Sequence, residues 1–186
     1  MVLIEELDVS VEELKRQGNE AFKTGEFQSA LDCYNKALNQ LTNDSDEIRP
    51  AILFNRGTAM FHLENYEECI SSCSDAIKLS PNYVKALYRR AKALEKVEKL
   101  SEAVADFDRV LELDPSMKQS CGDEYNKLVQ RRDTKLEKEK AEMMSNLKDL
   151  GNKLLGNFGL SLDSFQLDQN ESGSYSVQMK KPNPPS

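Results

Sequence analysis

The chain has no tryptophan, a single histidine, few other aromatic residues and no long hydrophobic run. No stretch approaches the roughly 18 apolar residues that a membrane span requires, and the first ten residues carry acids where a secretory signal carries bases. Four cysteines among 186 residues are too few for a disulfide framework, which favours a reducing compartment. We therefore expect a cytoplasmic protein with no membrane segment.

Basic residues are also in deficit. There are 25 lysines and arginines against 32 acids, so the net charge is −7. Nucleic acid is excluded as a main partner because phosphate binding needs a net basic face. Any basic site must be local, and a length of 186 residues corresponds to one domain plus an arm.

Internal repeats organise the first two thirds of the sequence. A shift of 34 residues carries Gly57 to Ala91 and Pro81 to Pro115, and a shift of 39 in the other direction reaches Gly18. The five extra residues fall in the polar run 42–46. Within each unit, small and large apolar residues recur at helical spacing, so each unit is predicted to be two short helices joined by a turn. The repeated apolar positions are Ala30, Tyr34, Ala37, Cys69, Cys73, Ala76, Ala103, Phe107 and Val110.

This pattern resembles the tetratricopeptide repeat family over residues 11–117, after an N-terminal lead of residues 1–10. Three repeats are covered, at 11–44, 50–83 and 84–117. The resemblance implies an all-α fold, a right-handed α-solenoid in which the first helix of each repeat lines the concave side. The eighth position is small in the family because the paired helices cross closely, and Gly18, Gly57 and Ala91 occupy it here.

A C-terminal capping helix is predicted over residues 118–156, since three stacked repeats need a solvating end. Its apolar positions recur at helical intervals in a charged background: Leu128, Leu136, Met143, Leu147, Leu150 and Leu154. The tail 157–186 is predicted to be partly disordered. Its apolar residues Phe158, Leu160, Leu162 and Phe165 either fold back on the capping helix or bind a partner.

Charge in the third repeat is divided between its two helices. The first helix, residues 84–97, has one acid, Glu95, and five bases: Lys85, Arg89, Arg90, Lys92 and Lys96. The second helix, residues 100–114, has five acids and one base. We therefore expect a basic concave wall that attracts an acidic ligand.

Five donors are expected to converge on this groove. Lys15 and Asn19 share one helix face, Lys85 and Arg89 share another, and Asn55 lies one repeat away from each pair. Here the sequence resembles the dicarboxylate-clamp subclass of the family, and all five motif positions carry the residue types of that subclass. The resemblance implies a co-chaperone that binds the C-terminal Glu-Glu-Val-Asp of heat-shock chaperones of the ninety- and seventy-kilodalton classes. It further implies that Lys15, Asn19, Asn55 and Lys85 hold the terminal carboxylate and last side chain, with Arg89 on a neighbouring carboxylate.

Catalysis and metal binding are weakly supported by the sequence. Cys69 and Cys73 are four residues apart on a helix, with His62 seven residues before them, a spacing that could hold a metal. Both cysteines also stand at repeat positions that face the core, which explains them without a metal. There is no phosphate-binding loop and no base placed beside a nucleophile, so we expect no enzymatic activity and no cofactor.

The segment 151–176 supports an alternative partner. Its sequence is similar to the C-terminal end of the adaptor family of tetratricopeptide repeat protein 1. That resemblance implies chaperone binding and, as the alternative, a signalling scaffold that binds G proteins through another face or the tail.

Overall fold

The computed structural model describes residues 9–41, 47–169 and 175–180. The expected N-terminal lead lies outside these ranges except for Val9 and Ser10, and so does the polar run 42–46. Residues 170–174 and 181–186 of the tail also lie outside them. The chain divides into two compact units, Met1–Arg132 and Asp133–Ser186.

The first unit is built from stacked helix pairs. Consecutive helices pack against one another along the chain, and α3 also contacts both α1 and α5. The prediction of an all-α solenoid of helix pairs is therefore confirmed. The six helices are α1 Val11–Lys23, α2 Phe27–Gln40, α3 Arg49–His62, α4 Tyr66–Leu79, α5 Val84–Lys96 and α6 Leu100–Leu113.

The turn inside each pair uses the same backbone conformation. Its middle residue has a positive φ, 82° at Gly25, 62° at Glu64 and 58° at Glu98. The next N–H donates back to a carbonyl five residues earlier, as in Asn65 to Met60 at 2.9 Å, which is the Schellman ending of a helix. Only Gly25 adopts this conformation without strain, since a side chain disfavours positive φ.

Close helix crossing explains the small residue at the eighth repeat position. A Cβ on Gly18 would lie 2.6 Å from Cε1 of Tyr34, and one on Gly57 would lie 2.9 Å from Sγ of Cys73. In the third repeat, Ala91 lies in one buried cluster with Phe107. These pairs confirm the predicted contact and show that the second helix supplies a matching larger side chain in each repeat.

Helix α7, Lys118–Gly156, begins against the third repeat. Cys121 and Leu128 are buried there, with Tyr125 and Val129 packed around them. The predicted capping helix is present, but only its beginning is buried, since Leu136, Met143, Leu147, Leu150 and Leu154 are all about half exposed or more. These exposed residues belong to the second unit, whereas the buried Cys121 and Leu128 belong to the first.

The tail contains a short β-hairpin that the sequence analysis did not predict. Strands β1, Phe165–Gln169, and β2, Tyr175–Met179, pair antiparallel with Phe165 opposite Met179. Before the hairpin, a 3-10 turn at Leu162–Ser164 contacts α7. There the N–H of Leu162 donates to Oδ1 of Asn152 at 2.7 Å.

Of the two alternatives for the apolar tail residues, folding back on the capping helix holds for Leu162, and partner binding stays a prediction. Leu162 folds back against α7, where its side chain fills the space beside Gly151. Phe158, in contrast, is 80% exposed and packs little against the rest of the protein.

Candidate functional site

Two of the five predicted site residues are joined directly. Nδ2 of Asn55 on α3 donates to Oδ1 of Asn19 on α1 at 2.9 Å. The same oxygen accepts a hydrogen bond from the hydroxyl of Tyr34 on α2 at 2.8 Å. Burial raises the pKa of Tyr34 to about 12, so this hydroxyl remains protonated and keeps its donor at neutral pH.

This network fixes which amide hydrogens are available to a ligand. The oxygen of Asn19 is occupied twice, which orients its Nδ2 and that of Asn55. An amide nitrogen carries two hydrogens, and only one hydrogen of Asn55 is used in the network. Within the described ranges, the two hydrogens of Asn19 and the second hydrogen of Asn55 make no bond. They suit an acceptor such as a carboxylate.

Arg89, the third predicted residue with a defined environment, lies against α3. Its guanidinium carbon is 4.8 Å from the centroid of the Phe61 ring, a cation–π contact that fixes the side chain. Its Nε is buried without a hydrogen-bond partner. No ion pair to Arg89 occurs in the part of the chain that the structure describes, so its charge is available to a ligand.

His62 follows Phe61 and joins an aromatic cluster beside Arg89. Its ring stacks on Phe27 with centroids 4.6 Å apart and meets Phe22 edge-on at 5.2 Å. Burial, and then the charge of Arg89, lower the pKa of His62. The imidazole is therefore predominantly neutral at pH 7.

The two lysines of the predicted site are less constrained. Lys15 is half-buried one helical turn before Asn19, and Lys85 is exposed one turn before Arg89. Neither lysine forms an ion pair or hydrogen bond with another described residue. The structure thus brings Asn19 and Asn55 into contact, and it places Lys15 and Lys85 on the helices that carry Asn19 and Arg89.

The expectation of a basic wall with five cations is wrong for two of them. Arg90 binds the buried carboxylate of Asp106 through two nitrogens, at 2.6 and 2.7 Å, and donates to Ser74 at 3.0 Å. Lys92 pairs with Glu124 of α7 and with Glu95. A helix turns by about 100° per residue, so neighbouring bases point in different directions and only part of the row faces the groove.

A pocket of about 340 Å³ lies between α1 and α3, next to the two amides. Phe22 and Phe54 give it apolar walls. Its lining residues are Arg16, Asn19, Glu20, Phe22, Lys23, Tyr34, Phe54, Asn55 and Thr58.

Sequence reasoning missed the supporting residues Tyr34 and Phe61. Tyr34 occupies the position of Cys73 and Phe107 in the other repeats, so its spacing marks only a core residue. The hydroxyl was the available signal, because a buried tyrosine normally needs a hydrogen-bond partner.

The cysteines suggested as a metal site are core residues. Cys69 and Cys73 are both fully buried, and the contact with Cys69 together with burial raises the pKa of the Cys73 thiol. Among the described residues, no cluster of three metal-ligating side chains occurs. Nor does any helix in the described ranges have the length and apolar character needed to cross a bilayer.

Family comparison agrees with this architecture. The tetratricopeptide repeat family model matches residues 50–83 and 84–117. RNA polymerase II-associated protein 3 of Homo sapiens is 40% identical over 103 residues, which is 55% of this chain and 15% of that protein. The DnaJ homolog subfamily C member 7 homolog of Schizosaccharomyces pombe is 39% identical over 106 residues, or 57% of this chain and 22% of that protein. The chain thus spans less than a quarter of the length of these relatives.

Solved structures match a larger share of this chain and most of their own length. The first TPR of Spaghetti (RPAP3) bound to HSP90 peptide SRMEEVD has a TM-score of 0.59 and 36% identity, covering 66% of this chain and 92% of that chain. The second TPR domain of human RPAP3 in complex with HSP70 peptide SGPTIEEVD has a TM-score of 0.54 and 35% identity, covering 62% and 91%. With the helix pairs, the repeated small positions and these matches, the chain belongs to the tetratricopeptide repeat family.

Proposed function

We propose that this protein is a non-catalytic co-chaperone or adaptor that binds the acidic C-terminal tail of heat-shock chaperones. The observation that carries the proposal is the bridged pair Asn19 and Asn55, which keeps amide hydrogens available to an acceptor, together with the guanidinium of Arg89, which has no ion pair among the described residues. Similar solved domains hold peptides that end in Glu-Glu-Val-Asp.

The proposed roles follow from donor geometry. Asn19 and Asn55 bind the terminal carboxylate through amide hydrogens. Lys15 and Lys85 supply the positive charge that balances this carboxylate and the side-chain carboxylate of the last peptide residue. Arg89 binds a neighbouring carboxylate of the peptide. The apolar walls of the pocket beside the amides, Phe22 and Phe54, suit the single valine of the tail.

The wider assignments are proposals as well. The first repeat, 11–44, is supported by α1 and α2, and the two other repeats coincide with the matched ranges. A cytoplasmic location is supported by four free cysteines. No observation described above favours the G-protein alternative, which stays a prediction.

The decisive experiment compares two peptides that differ in one group. Acetylated Met-Glu-Glu-Val-Asp is titrated against the protein as the free acid and as the C-terminal amide, by calorimetry. We expect binding in the micromolar range for the acid and at least a tenfold loss for the amide, since the amide removes the charge that the clamp binds. Equal affinity for both peptides would refute the proposal.

Charge-reversal variants locate the site. Arg89→Glu should abolish measurable binding, because loss of a charge-assisted pair costs about 2–5 kcal/mol and reversal adds repulsion. Lys36→Glu is the matched control, since Lys36 is an exposed lysine on the second helix of repeat one. If Lys36→Glu weakens binding as much as Arg89→Glu, general electrostatic attraction and not the clamp explains the affinity.

A further inference from the structure

The second half of α7 presents an apolar stripe to solvent. Leu136 is 48% exposed, Met143 70%, Leu147 61%, Leu150 56% and Leu154 60%. The folded-back tail residue Leu162 packs beside Gly151 and leaves the stripe uncovered. Such an exposed apolar row, which we call the α7 stripe, is typical of a surface that binds another protein.

The spacing of the α7 stripe is that of a coiled-coil seam. Leu136, Met143 and Leu150 recur every seven residues, and Leu147 and Leu154 each follow four residues after the preceding member. This alternation of three- and four-residue steps forms a narrow seam that suits one partner helix.

The charges beside the seam make it complementary to itself in the antiparallel direction. With the symmetry axis near residue 145, Leu147 of one copy meets Met143 of the second, and Leu154 meets Leu136. In the same register Glu139 lies opposite Lys153 of the second copy, so two such pairs flank the seam. All of these side chains are exposed in the single chain.

A parallel pairing is disfavoured by the one charged seam position, Lys140. In a parallel register Lys140 would face Lys140 of the second copy, and like charges at a seam repel. In the antiparallel register each Lys140 faces Leu150, so its alkyl chain can pack there while the ammonium reaches water.

We propose that this protein forms an antiparallel homodimer through the α7 stripe. The proposal goes beyond the peptide-binding function and does not depend on it, because the seam residues are separate from the clamp residues. The dimer needs no ligand, and Asn19, Asn55 and Arg89 are not part of its seam.

Sedimentation equilibrium on the full chain, from about 1 to 100 µM, tests the proposal. We expect a monomer–dimer equilibrium that Leu147→Glu weakens at least tenfold. The matched control is Ala141→Glu, which places the same charge at an exposed position away from the seam of the same helix and should leave the equilibrium within about twofold. Helical circular dichroism checks that both variants remain folded.

A charge swap separates self-association from other uses of the stripe. Glu139→Lys alone should weaken the dimer several-fold, and Glu139→Lys combined with Lys153→Glu should restore it. A monomer at all concentrations would overturn the proposal, as would a double swap that fails to restore association. Binding of the monomer to anionic vesicles, lost in Leu147→Glu, would instead assign the stripe to a membrane surface.

Discussion

Replacing Tyr34 with phenylalanine should weaken peptide binding although it leaves every residue assigned to the carboxylates in place. Tyr34 is 1% exposed, and its hydroxyl donates to Oδ1 of Asn19 at 2.8 Å. Loss of one neutral hydrogen bond costs about 0.5–1.5 kcal/mol of folding stability, or about 1–6 °C in melting temperature. The ring keeps its packing against Gly18, so the helix crossing is preserved.

A separate effect is expected on affinity. Without the hydroxyl, the amide of Asn19 is held only by Asn55 and can rotate, so part of its donation to the carboxylate is lost. A loss of about 1.4 kcal/mol in the binding free energy of the peptide, near the upper end of what one hydrogen bond contributes, corresponds to a tenfold lower affinity. Fluorescence anisotropy with a labelled Glu-Glu-Val-Asp peptide measures this change.

Tyr88→Phe is the matched control for that measurement. The hydroxyl of Tyr88 donates to Glu124 at 3.2 Å, in the third repeat and without contact to Asn19. We expect a similar loss of stability and unchanged peptide affinity. Equal affinity of wild type and Tyr34→Phe, or an equal loss in both variants, would refute the positioning role.

Three further predictions concern stability. Glu64→Gly should raise the free energy of unfolding by about 0.5–1 kcal/mol in denaturant titration, since Glu64 has a positive φ of 62°. Ala103→Leu should lower it by about 1–3 kcal/mol because Ala103 is fully buried, whereas Lys85→Ala should leave the thermal melt unchanged. Because the pKa of His62 is lowered in the fold, its stabilising contribution is present above the unfolded pKa of about 6.5 and is lost as pH falls below it. His62→Gln should remove this loss between pH 6.5 and 5, and an identical pH profile in that variant would contradict the assignment.

The repeats could be predicted from the sequence because the small and large side chains that pack together recur at fixed positions in each repeat. Gly18 and Gly57 are small because Tyr34 and Cys73 occupy the adjacent space, and both members of each pair recur at fixed distances along the chain. Such short-range packing is visible in one sequence. The prediction of helix pairs therefore needed no knowledge of tertiary contacts beyond the repeat itself.

The charges of the third repeat were less predictable. Arg90 and Lys92 look equivalent to Lys85 and Arg89 when counted along α5, yet their partners Asp106 and Glu124 come from other helices. A net charge per helix does not tell which side chains face a groove. The available signal was the acidic second helix, since a base turned towards it is neutralised.

The tail hairpin was missed for a different reason. Tyr175, Val177 and Met179 alternate with polar residues, which is the period of a strand, but the run is only five residues long. Glycine and serine before it also suggest an irregular segment. Pairing with Phe165–Gln169, ten residues earlier, supplies the backbone hydrogen bonds that the local sequence cannot reveal.

Helix α7 shows how one periodic pattern can serve two surfaces. Leu128 and Leu147 belong to the same charged, apolar-striped sequence, and the pattern alone assigns both to a cap. The structure separates them, because Leu128 is buried in one cluster with Phe107 of the third repeat, whereas Leu147 is 61% exposed. The uncovered part keeps the regular seam of a helix that packs against another helix, although a cap facing water would have no need of it. Such an exposed seam suits a partner helix, and the opposite charges of Glu139 and Lys153 are the reason for proposing a second copy as that partner.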